Sequence, residues 1–70
     1  MNNMRTIHVY NESNPYNTGH LTGFYTKDDI AYCMIYYTQT ATRESIPYDK
    51  LYFNPNYNCM MYKAEDAVEI

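Results

Sequence analysis

Four side chains are of the kinds that hold metals, attack carbonyls or carry protons: His8, His20, Cys33 and Cys59. Zinc would need all four, yet their spacing matches no compact ligand pattern, and both cysteines stand inside apolar runs. Nucleophilic catalysis needs a thiolate, and apolar surroundings favour the neutral thiol. Acid–base work by His8 or His20 with Arg43, Glu44 or a tyrosine is the pattern of a small ribonuclease. Such an enzyme holds RNA with excess positive charge, whereas this chain carries a formal net charge of −3. Gly19 and Gly23 are the only glycines, which rules out a phosphate-cradling loop. These residues predict no catalytic centre, no metal and no cofactor.

The composition points to recognition instead. There are ten tyrosines, two phenylalanines and no tryptophan. A chain of this length buries only ~60% of its unfolded surface, and each buried tyrosine hydroxyl needs a partner. Several tyrosines must therefore be reachable. Tyrosine suits an interface because it offers a large contact area at low entropic cost, plus a hydroxyl. Tyr10, Tyr16, Tyr25, Tyr48, Tyr52 and Tyr57 fall at expected strand ends or beside turns, and are the candidate partner-binding residues together with Asp28 and Asp29. The five basic residues are scattered, so no stripe is available to track duplex nucleic acid. Glu65, Asp66 and Glu69 form a modest acidic end, read here as a solubilising tail.

The elements that must position these groups are organised around residues 30–37, the one run of eight apolar or aromatic residues. A helix capped by Thr26 would put Ile30, Cys33, Met34 and Tyr37 on one face. Tyrosine, isoleucine and cysteine are mediocre helix formers and fit a pleated surface better, so a strand is expected. Both of its faces would be apolar, which asks for cover on two sides, within the chain or from a second copy.

Residues 4–10 alternate as a half-buried strand with Ile7 and Val9 inward. Residues 11–20 carry a turn former at nearly every step and read as a long loop, a possible binding element. A strand over 21–26 follows, with Gly23 marking a bulge or a close backbone approach. Lys27-Asp28-Asp29 is a hairpin turn, and residues 38–45 an exposed strand end and turn. Pro47 makes residues 46–53 an edge strand or one that begins after the proline, Asn54-Pro55-Asn56 is the clearest turn, and 57–63 is a last strand. Residues 64–70 are a short helix or a frayed strand end.

The expected architecture is one all-β domain (α+β if the terminal helix forms). It is an antiparallel sheet or small open barrel of about five strands, self-associating to cover its apolar face. No hydrophobic leader precedes the first strand and no run spans a bilayer, so two reduced thiols in a cytoplasmic protein are expected. Short length, acidic charge and abundant Asn, Tyr, Thr, Ile and Met suggest a phage or mobile-element gene. The expected function is a non-catalytic binding protein that inhibits or occludes a host protein, such as a nucleic-acid-handling or defence enzyme. The alternative is an oligomeric binder of a nucleotide-like ligand, with tyrosines stacking on the base and Arg5 or Arg43 on the phosphate.

Overall fold

A computed structural model describes residues 7–68. It is all-β: six strands form a single mixed sheet that does not close. In chain order these are β1 (His8–Asn11), β2 (Asn14–Lys27), β3 (Ile30–Tyr37), β4 (Thr42–Pro47), β5 (Tyr52–Asn54) and β6 (Cys59–Tyr62). Across the sheet the order is β4-β3-β2-β1-β6-β5. Among the described residues no helix is long and apolar enough to cross a membrane.

The central run forms a strand over all eight residues, as its composition predicts. It enters through a two-residue hairpin in which Asp28 and Asp29 have φ of 54° and 66°. Two successive left-handed residues match the twist of the flanking strands, and aspartate tolerates that conformation. Cys33, Ile35 and Tyr37 then point into the core with Val9, Ile46 and Tyr62, against which Leu21, Leu51, Met60 and Ala67 pack. The other face of β3 is only half-covered: Tyr32, Met34 and Tyr36 are partly exposed, and Ile30 is exposed. One side of the doubly apolar strand is therefore buried within the chain from Cys33 to Tyr37, with only Ala31 at its start exposed.

Three expectations need correction, and the segment left open at the end of the chain takes a definite form. There are six strands, not about five, because Pro47 ends β4, and the 3₁₀ turn Tyr48–Lys50 separates it from β5. The sheet is mixed, since β1 and β6 run parallel, with Val9 opposite Met60. Residues 11–20 are not a long loop: β2 begins at Asn14 and runs 14 residues. The β1–β2 turn needs only Glu12 and Ser13, with the Asn11 side chain accepting from the Ser13 N–H at 2.8 Å. Turn-forming residues are kept in the strand because pairing with β1 and β3 satisfies their backbone groups. The described end of the chain forms no α-helix, only a 3₁₀ turn at Ala64–Asp66. Beyond it the Val68 N–H donates to the Ser45 carbonyl at 2.8 Å, so a segment arriving from β6 fastens onto the free edge of β4.

Gly23 lies at a register shift between Leu21 and its neighbours, a bulge as its position suggests, with open space around it. The close approach is at Gly19, where a Cβ would sit 2.6 Å from the Val9 carbonyl oxygen. Pro47 ends an edge strand, where its missing N–H costs no ladder bond. The Asn54 side chain closes its turn by accepting from the Asn56 N–H at 2.9 Å.

Candidate binding site

Strand register decides which chemistry-bearing residues meet. His8 pairs with His20, His20 with Tyr36, and Tyr36 with Arg43. These four side chains form one row across β1, β2, β3 and β4 on the outer face, opposite the core. The imidazoles of His8 and His20 meet edge to face at 5.1 Å, and the Arg43 guanidinium stands 6.0 Å from the centre of the Tyr36 ring. Further along the same face Tyr25 and Tyr32 stack at 5.1 Å with an interplanar angle of 18°.

His8 also belongs to an aromatic groove of about 730 Å³ on the β1–β6 side of the sheet, with Tyr10, Tyr16, Phe53, Tyr57 and Cys59 among its walls. β1 supplies His8 and Tyr10, the start of β2 supplies Tyr16, and the turn before β6 supplies Tyr57. Tyr16 is 88% exposed and stands at the rim of the groove. Tyr10 is partly held by the Thr18 hydroxyl at 3.4 Å. Burial pushes the Cys59 thiol up, which favours the neutral, weakly nucleophilic form. Cys33 is raised for the same reason and donates to the Ile46 carbonyl at 3.4 Å. Neither thiol is in a disulfide.

The eight residues singled out as partner-binding fall into separate groups. Tyr10, Tyr16 and Tyr57 share the groove. Tyr25 lies in the stacked outer-face pair. Tyr48 meets Phe24 edge to face at 5.8 Å over a smaller apolar groove of about 370 Å³, which shares Ile7 and Met60 with the first. Tyr52 donates its hydroxyl to the Glu12 carboxylate, which raises its pKa. Asp28 and Asp29 occupy the β2–β3 hairpin. All eight are at least partly exposed, and the two tyrosines in the core are Tyr37 and Tyr62.

Tyr36 in the row and Phe53 in the groove were not singled out from the sequence, and His8, His20 and Cys59 were weighed there only for metal binding or catalysis. The pairing of His8 with His20 follows from the hairpin register, which a long loop over 11–20 would have hidden. Among the described residues no three His, Cys, Asp or Glu side chains gather to hold a metal ion. Arg5 lies outside the described residues.

No family model, curated protein or solved structure matches this chain. Its functional reading therefore rests on the side chains just described.

Proposed function

We propose that this protein is a small non-catalytic binding protein that docks a protein partner in the aromatic groove and so occludes it. The setting that its composition suggests is a phage or mobile element acting on a host enzyme in the cytoplasm. The observation that carries the reading is the groove itself: about 730 Å³, with exposed Tyr16, Phe53 and Tyr57 at its walls. Three large rings left in water are costly for a chain with so thin a core, and desolvating them against a partner recovers that cost. Aromatic anchors in a concave site are the usual centres of binding energy. Among the described residues that line the groove there is no carboxylate to orient His8 as a base, which supports holding over turnover.

A double substitution of Tyr16 and Tyr57 to alanine tests this directly. In a pull-down from the natural host, the wild type is expected to retain a specific protein, and the double variant to lose at least about tenfold of it. Tyr48→Ala, on the other groove, is expected to retain it. Equal capture by wild type and double variant would overturn the reading. The melting temperature of the double variant should stay close to wild type, because both side chains are exposed.

A second reading, uptake of a nucleotide-like ligand, is favoured by one observation: Arg43 stands over Tyr36 in line with His20 and His8. That pairs a phosphate donor with rings for a base. A pyrimidine mononucleotide is expected to raise the melting temperature of the wild type and not of Arg43→Gln. No shift at millimolar ligand would remove this reading.

A further inference from the structure

We infer that the outer face of the sheet, from Arg43 across to the aromatic groove, is a track on which the bases of a single-stranded nucleic acid stack. The inference rests on the nucleotide reading and extends it from one nucleotide to a strand.

Three observations carry it. The first is continuity. Neighbouring strands lie ~4.8 Å apart, so the row Arg43, Tyr36, His20, His8 extends ~14 Å. His8 then belongs to the groove, where Tyr10 and Tyr57 continue the aromatic surface. A single base covers one ring of such a surface and leaves the rest wet.

The second is charge. The chain is acidic overall, at −3, yet the charged residues within β1–β4 are Lys27, Arg43 and Glu44. Glu44 is paired opposite Ile35 on the core face, where it accepts the Tyr62 hydroxyl. Lys27 and Arg43 share the outer face with Tyr25 and Tyr36, so within the four strands this face carries only cations, while the Glu12 carboxylate of the β1–β2 turn reaches the same face at Tyr52, toward the groove. Asp28 and Asp29 lie beside Lys27 at the far end of β3 and offset its charge; Asp29 is seven residues from Tyr36, or ~23 Å, beyond the ~8 Å screening length of physiological salt, so Arg43 is the cation that the row itself presents.

The third is the kind of contact on offer. Aromatic faces reach bases only where these are unpaired, and stacking tolerates any sequence. The single cation of the row is too few to hold a duplex by its phosphates. A single strand is the occupant that suits rings in a row with sparse positive charge.

Fluorescence anisotropy with labelled oligothymidylate and oligouridylate of increasing length, beside the mononucleotides, tests this at low salt. Affinity is expected to rise at least about tenfold from mononucleotide to oligomer, with duplex of the same length binding about tenfold more weakly than single strand. Tyr36→Ala should lose about tenfold, and Tyr36→Phe, which keeps the ring, should restore it. Arg43→Gln, an exposed site outside the buried core, should flatten the salt dependence by about 0.7 in logarithmic slope, one phosphate contact on a single strand. Tyr48→Ala should change nothing.

Mononucleotide binding with no gain from length would overturn the track and leave the nucleotide reading standing. Silence for both would remove the two together. Light scattering of the same samples decides the remaining occupant. A dimer that Tyr36→Ala dissociates and oligonucleotide leaves intact would mean that a second copy covers the face, and would also overturn the proposal.

Discussion

Replacing Gly19 with alanine is expected to destabilise this protein by about 3 kcal/mol, at the upper end of what overpacking a core costs. The added Cβ would lie 2.6 Å from the Val9 carbonyl oxygen, 2.6 Å from Ile35 Cγ2 and 2.7 Å from Tyr37 Cε1. One flexible side chain could move aside, but a backbone carbonyl inside a ladder moves only with its strand. Val9, Ile35 and Tyr37 are all in the buried cluster, so any shift is transmitted to the rest of the core. For a domain of this size, about 3 kcal/mol corresponds to a drop in melting temperature of roughly 12–24 °C. Gly23→Ala is the matched control, since a Cβ there meets nothing within 4 Å. It is expected to be neutral or slightly stabilising, because glycine within a strand costs conformational entropy. Urea denaturation of the two variants measures both. Equal stability would mean that β1 and β3 do not close over Gly19 as described.

Alkaline pH should unfold the protein far more steeply than its surface charge would suggest. Tyr37 and Tyr62 share a hydrogen bond in the core, and the Tyr62 hydroxyl donates onward to the Glu44 carboxylate. Tyr37 is 3% exposed and Tyr62 wholly buried. Burial pushes Tyr37 up to about 12, with the charge of Glu44 adding to it and the bond to Tyr62 opposing it. Burial drives Tyr62 far above the ordinary tyrosine range, reinforced by its bond to Glu44. An unfolded tyrosine titrates near ~10. Above that pH the unfolded chain releases protons that the folded chain keeps, so stability falls as pH rises.

Each of the two tyrosines contributes a slope of about 1.4 kcal/mol per pH unit, so together they remove roughly 5 kcal/mol between about pH 10 and 12. That is comparable to the whole stability of a small domain. Their contribution is fully present below pH ~10. Chemical denaturation at about pH 8, 10 and 11 should show a plateau followed by a steep fall. Tyr62→Phe should halve the slope, while costing about 1–3 kcal/mol at neutral pH because Glu44 and Tyr37 lose a partner. A stability curve that stays flat to pH ~11 would show that the pair is not buried.

Much of the architecture was legible in the sequence where local chemistry decided it. Residues 30–37 became a strand because aromatic and β-branched side chains fit a pleat on either face. Asp28 and Asp29 made the hairpin because aspartate accepts positive φ. Asn54, with a proline after it, closed its turn through its own side chain. Pro47 lies at the end of an edge strand for want of an N–H. The six tyrosines singled out are all at least partly exposed, and the core tyrosines Tyr37 and Tyr62 were not among them, but Tyr32 and Tyr36, exposed to a similar degree, were left out.

What failed was any inference that needed a distant partner. The stretch 11–20 reads as a loop residue by residue, yet pairing with β1 holds residues 14–20 in β2, and β3 adds a second ladder at Gly19 and His20. The parallel pairing of β1 with β6 brings together Val9 and Met60 from opposite ends of the sequence, and no local pattern encodes that. The nearness of His8 to His20, and of Arg43 to Tyr36, is a product of register, in which a slip of one residue would turn every side chain to the other face.

The sequence by itself determined the class of fold, the central strand and its turns, and the surplus of tyrosine over available core. Those follow from the intrinsic preferences of single residues and their neighbours. Only the tertiary structure decided which face of the central strand is sealed, why Gly19 admits no side chain, and that two histidines, a tyrosine and an arginine stand in one row. Such facts depend on how six strands pair, and pairing is a free-energy balance over the whole sheet that no short stretch of sequence carries alone.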